Sequence, residues 1–208
     1  MITQVHAHWL KTHCFCEYQL YMIERAGVAD PGSRSIDRGN AAHGALDTRH
    51  NATATLVDSL ESAILVARVT NKPFIIREAY VKSNRVSGVI DQLEYHLTKV
   101  VIVDDKIRTR SGEPYDSDKL QVLAYCLAFS EQFDGLGLPI YAVIHDENTE
   151  QVLWEHEFDQ SDKIEVNSII DRILDVVNGV CQPIPNKNLN KCRGCRFNML
   201  CPKSLVRR

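Results

Sequence analysis

The stretch Val86–Lys106, "VSGVIDQLEYHLTKVVIVDDK", decides how this chain is read. One strand-like run ends near Leu97 and the next starts at Val100, so a "TK" step alone separates them. So short a gap predicts antiparallel neighbours joined as a hairpin. With the turn near Thr98, Asp91 and Asp104 fall close to opposite one another. Two carboxylates that close repel unless a cation or a proton lies between them. Side chains alternate along a strand, so Asp104, Lys106, Arg108 and Arg110 share one face and Asp105 points the other way. Val100 to Val103 are apolar on both faces, so that half of the strand is expected to be covered on both sides. The plain alternative is a solvated strand end whose charges only face water. The opposed Asp91 argues against it.

Outward from this hairpin, the elements fall into an order. Residues 6–25 read as helix, and 27–36, with Gly, Pro and Ser, read as loop. Residues 38–50 are Ala-rich and helical, and 55–69 carry apolar residues near a 3.6 period. "FIIREAYVK" is a strand, and "SNR" joins it tightly to the hairpin. Residues 116–132 make the best helix of the chain, with an Asp or Ser cap expected before its apolar face. Two more strands flank "ENTE", and a last helix covers 161–178, with Ser161 or Asp162 as its expected cap. Helices, a β-meander, a helix, two strands and a helix fit an α/β fold, a mixed sheet flanked by helices.

The chain has 208 residues, room for one domain or one domain and a small appendage. A hydrophobic share of 44% is enough for a core. The formal charge of −3 gives no global basic signal, so a nucleic-acid partner would have to meet a local basic patch. No apolar run approaches a membrane span, and no apolar leader opens the chain, so no membrane role and a cytoplasmic location are expected. Seven cysteines in a reducing compartment point to metal or to buried thiols, not to disulfides.

Three of those thiols lie in "CRGCRFNMLCP", at Cys192, Cys195 and Cys201, spaced C-x2-C-x5-C. A thiolate site usually needs four ligands, so a fourth must come from Cys14, Cys16, Cys126 or Cys181. Cys126, in "LAYCLAF", reads as a core thiol. Cys181 is not dismissed by spacing. Four thiolates suit zinc or an iron–sulfur cluster equally on chemistry. One C-x2-C pair, a wide gap and a remote cysteine lean towards [4Fe–4S].

Asp91 followed by Asp104-x-Lys106 resembles the D…(D/E)-x-K core of the restriction-endonuclease-like nucleases. "GNAAH" (Gly39 to His43), the Q-x3-Y pair Gln121 and Tyr125, and the cysteine set are similar to the RecB-type branch. As a set, they resemble the CRISPR-associated Cas-four family of RecB-like exonucleases, from Cys16 to Cys201. The absence of a G-x4-G-K-[ST] loop sets the chain apart from helicase–nuclease fusions. The resemblance implies a restriction-endonuclease-like (RecB-type) fold with three parts. These are an N-terminal segment (1–36) giving one cluster cysteine, a nuclease core (37–180), and a cysteine segment (181–208) tied back by a [4Fe–4S] cluster. It points to Cys16 as the fourth ligand, because Tyr21 stands at the offset where the family has an aromatic. It implies that His43, Asp91, Asp104 and the backbone carbonyl of Asp105 hold Mn²⁺ or Mg²⁺, and that Lys106 orients or deprotonates the attacking water.

Gln121 and Tyr125, one turn apart, would face the same DNA strand, and Arg108 and Arg110 would meet phosphates. Family membership further implies cleavage of single-stranded DNA, often from a 5′ end, beside the CRISPR integrase. That carries a prokaryotic or phage origin with it. Asp at position 104 departs from the Glu of many relatives, and Asp105 beside it leaves a register alternative. Two other readings stand: a repair or phage nuclease outside CRISPR, and a non-catalytic binding module. The histidines at 6, 8 and 13 are read as ordinary helix residues.

Overall fold

The computed structural model describes residues 1–31, 59–106, 112–147 and 149–206. In chain order these form β1 (Val5–His6), α1 (Ala7–Phe15), α2 (Glu17–Glu24), α3 (Leu60–Thr70), β2 (Phe74–Lys82), β3 (Val86–Tyr95) and β4 (Val100–Lys106). Then come α4 (Asp116–Gln132), β5 (Ile140–Asp146), β6 (Val152–Glu157), α5 (Gln160–Asn178) and α6 (Leu189–Gly194). The six strands make one mixed sheet. β2–β3, β3–β4 and β5–β6 are antiparallel, while β4–β5 and β1–β3 are parallel. The α/β expectation and the hairpin hold.

β3 organises the sheet. β2 pairs along one of its edges, from Ser87 to Tyr95. On the other edge β1 takes Val86 and Ser87, and β4 takes Gln92 to Tyr95. Among the described residues, 88–91 of β3 therefore have no ladder partner on that second edge. Burial along β3 also changes phase, with Val86, Ile90, Leu93 and Tyr95 buried. Opposite Asp91 in the β2–β3 register stands Glu78, a pair the ladder skips, and its φ of 52° is left-handed. Backbone irregularities of this kind re-aim a side chain, and here Asp91 is the residue at the gap.

The core lies on one face of the sheet. Ile90 and Leu93 of β3, Val100 and Ile102 of β4, and Ala142 and Ile144 of β5 pack with α4 and α5. Val122 to Phe129 of α4 are all buried, as expected of a helix enclosed on every side. Val101, Val103 and Val143 form a smaller cluster on the opposite face, so β4 is covered on both sides as its sequence requires.

Several local expectations are corrected. The helix expected over 6–25 is two helices, because Cys16 is extended at φ −168° and ψ 115°. Its N–H still donates to the Thr12 carbonyl and its carbonyl still accepts from Gln19, so one residue ends α1 and starts α2. His6 lies in β1 and its ring stacks on that of His8. α4 has Tyr115 at its N-cap with no side-chain cap; Asp116 and Asp118 sit in its first turn, where the helix dipole favours them. α5 is capped by Asp159, in a reciprocal capping box with Asp162. α3 starts after a Ser59 cap, and the earlier part of its expected span lies outside the described residues. Gly179, at φ 76°, ends α5; a Cβ there would meet the guanidinium of Arg25, which donates to the Val177 carbonyl. That contact fastens the α1–α2 pair to the end of α5.

Candidate active site

The pleat of β4 divides three charged residues between two environments. Asp104 is 1% exposed and lies on the core face with Val100 and Ile102. Lys106 Nζ is 2.5 Å from Asp104 Oδ2. Beyond that ion pair, Oδ2 is buried without a hydrogen-bond donor among the described residues. Asp105 points the other way, 3.5 Å from an Arg77 nitrogen and 3.9 Å from His145 Nδ1. The expected alternation is therefore present.

Where the β3–β4 ladder stops, a side chain continues the join. Asp91 Oδ2 accepts from the Asp105 amide at 2.8 Å. Asp91 is thereby brought beside Asp104, and the two carboxylates share one site. Burial first, then the Asp91 charge, raise the Asp104 pKa to about 6, although Lys106 pulls it down. Burial opposes a charge on Lys106, but Asp104 and Asp91 outweigh it and push the lysine up. The metal-free centre thus has one firm ammonium and an anionic pair that begins to hold a proton below about pH 6.

α4 lines the same space. Gln121 Nε2 donates to Tyr125 Oη at 2.7 Å, and both residues are buried. Gln121 Oε1 is buried with no hydrogen-bond partner among the described residues. Burial, with Asp104 and Asp91 behind it, raises the Tyr125 phenol, which places that ring by the carboxylates. Tyr125 reaches this position only because Gly88 lacks a side chain. A Cβ on Gly88 would lie 2.5 Å from Tyr125 Cε1 and 3.2 Å from Ala7 Cβ. Gly88→Ala is expected to destabilise the fold by about 1–3 kcal/mol through overpacking. Urea unfolding measures this, and a variant as stable as the parent contradicts the packing described.

Sequence reading missed a further cation. Lys11 of α1 pairs with the buried Asp118 at 2.7 Å, and its charge acts on Asp104. Asp118, Gln121 and Tyr125 run along one face of α4, so Lys11 stands at the N-terminal end of that face. Nothing local marks Lys11; only the packing of α1 on α4 brings it there. Asp146 and Glu147 are also buried, and β5 places Asp146 beside Lys106 in parallel register. His43, Arg108 and Arg110 lie outside the described residues.

The cysteines gather at the break between α1 and α2. Cys16, Cys192, Cys195 and Cys201 line one cavity with Phe15, Gln19 and Phe197. Burial raises the Cys195 thiol, and the nearby Cys16, Cys201 and Cys192 add to it. Cys181 is elsewhere, accepting from Arg172, and Cys126 is fully buried in α4. Among the described residues, no three His, Cys, Asp or Glu side chains are close enough to hold a metal ion. No helix among them is long and apolar enough to cross a membrane.

The sequence signature of the PD-(D/E)XK nuclease superfamily matches residues 66–202. The crystal structure of SSO0001 is similar in fold, with a TM-score of 0.56 at 14% identity over 99% of this chain and 89% of that one. A protein from Eubacterium rectale, whose exonuclease assignment is itself an inference, aligns at a TM-score of 0.52. It is 14% identical over 99% of this chain and 90% of its own. Among curated protein sequences none matches significantly.

Proposed function

The chain belongs to the PD-(D/E)XK nuclease superfamily, and from that premise we propose that it is a divalent-metal-dependent deoxyribonuclease with its centre at Asp91, Asp104 and Lys106. The observation that carries this reading is the buried Asp104 carboxylate, opposed by Asp91 and paired with Lys106. Two anionic oxygen donors at one place fit a hard cation such as Mg²⁺ or Mn²⁺. Asp91, Asp104 and the Asp105 carbonyl would hold it, joined by His43. A bound cation of this kind supplies an acidified water and positive charge at the scissile phosphate. Lys106 offsets negative charge on that phosphate and orients the attacking water. Gln121 and Tyr125 hold the strand across the cleft, and Arg108 and Arg110 extend its phosphate contacts. The assay is cleavage of end-labelled single-stranded DNA. Products should form with Mn²⁺ or Mg²⁺ and vanish with EDTA. Cleavage that persists in EDTA rejects the metal, and no cleavage with any divalent ion rejects the enzyme.

The finer reading rests on the resemblance: an exonuclease working 5′ to 3′ on single-stranded ends, trimming CRISPR spacer precursors beside the integrase. Strands labelled at either end read the polarity. Cys16, Cys192, Cys195 and Cys201 are proposed to hold a [4Fe–4S] cluster. Their shared cavity supports this. Cys16→Ser is expected to abolish the visible iron–thiolate absorption of anaerobically prepared protein, and Cys14→Ser to keep it. A colourless parent carrying stoichiometric zinc, or the reverse result for the two variants, contradicts the assignment.

A further inference from the structure

Charge is distributed very unevenly along this chain. Residues 181–208 hold seven Lys and Arg and no Asp or Glu. The preceding 180 residues hold the other 17 Lys and Arg with all 27 Asp and Glu, a formal charge of −10. A nuclease core of that sign repels a polyanion, and some local surface has to attract one. We infer that the cysteine-bearing segment, through Lys187, Arg193 and Lys203, is a contact surface for the DNA sugar–phosphate backbone beside the active centre. The inference rests on the nuclease reading above and deepens it.

Of the segment's other cations, Arg207 and Arg208 lie outside the described residues, and the remaining two are engaged. Arg196 pairs with Asp30 at 2.8 Å. Lys191 donates to the Cys14 carbonyl and lies over the Phe15 ring. Lys187, Arg193 and Lys203 are exposed and have no ion pair among the described residues. The segment is fixed to the end of α1. Asn186 Nδ2 donates to the Phe15 carbonyl at 2.7 Å, and the Ile184 amide to Glu17 Oε2 at 2.8 Å. One turn back along α1 is Lys11, paired with Asp118, which stands three residues before Gln121 on α4. A strand lying on the three cations would thus run towards the N-terminal end of the Gln121–Tyr125 face. Cations without carboxylate partners release counterions when they meet phosphates, and that release is measurable.

The experiment compares the full-length parent with Lys187→Gln/Arg193→Gln/Lys203→Gln and with a control triple, Arg68→Gln/Lys72→Gln/Lys82→Gln, that removes equal charge from α3, β2 and the turn between them. Fluorescence anisotropy of a labelled oligothymidylate in EDTA, across a salt series, gives affinity and salt slope. Each phosphate contact to a single strand contributes about 0.7 to that slope, so the first triple should lower it by about 2. With metal restored, its KM should rise while kcat at saturating DNA stays at the parent value. The control should change little. An unchanged slope in the first triple, with a parent that binds and cleaves, overturns the surface and leaves the nuclease reading intact. An equal loss in the control also overturns it, because net charge and not this surface then drives binding. A parent that neither binds nor cleaves DNA rejects both.

Discussion

Asp104→Ala is expected to abolish metal-dependent cleavage of DNA. Asp104 contributes a nearly inaccessible anionic oxygen in direct contact with the Lys106 ammonium. Removing it takes one of two carboxylates from the proposed cation site and leaves Lys106 without its ion-pair partner. Mn²⁺ titration by calorimetry should therefore show weak or no binding. Asp91→Ala should lose activity too, with a second effect, because Asp91 Oδ2 holds the Asp105 amide. Asp91→Asn separates the two roles, since an amide oxygen can still accept that bond while the charge is gone. The same centre sets a pH dependence. Asp104 protonates below about pH 6 in the metal-free protein, and a proton there excludes a cation. Mn²⁺ affinity should be flat above about pH 7 and fall by up to tenfold per pH unit below about pH 6. Affinity independent of pH from 5 to 8 would contradict the assigned carboxylate.

Lys106→Ala should lower the cleavage rate by about 10²–10⁴, the usual cost of losing one group that positions or exchanges a proton with the attacking water. It acts by a different route from Asp104. No oxygen ligand is lost, so Mn²⁺ should still bind at pH 8. The lysine does lower the pKa of Asp104. Without it, that carboxylate protonates at higher pH, and metal affinity in the variant should start to fall earlier as pH drops. Lys106→Met, which keeps the packing stem, should share the rate defect. A lysine variant that cleaves normally, or one that binds no metal even at pH 8, contradicts a role in handling the attacking water.

The centre of the fold was legible because β-strands impose a period of two. Apolar residues at 100–103 required two covered faces, and the short turn fixed the register, so Asp91 could be placed beside Asp104 from spacing alone. Single-residue departures were not legible. Nothing local in "HCFCEY" marks Cys16 as the extended residue between α1 and α2, yet that break puts its thiol in the cavity shared with Cys192, Cys195 and Cys201. The left-handed Glu78 opposite Asp91 is equally silent, because φ there is set by the strands around it. Lys11 was missed for a third reason: its partner Asp118 is more than a hundred residues away, and only tertiary packing joins them.

The most direct measurement is Mn²⁺-dependent release of label from single-stranded DNA by the parent, Asp104→Ala and Asp105→Asn side by side. The two aspartates are neighbours in sequence but lie on opposite faces of β4, one against Lys106 and the other against Arg77 and His145. Asp105→Asn, which keeps its backbone carbonyl, should cleave substantially, while Asp104→Ala should not cleave at all. An active Asp104→Ala beside a dead Asp105→Asn would move the centre to the other face, and three equal activities would remove it from this strand.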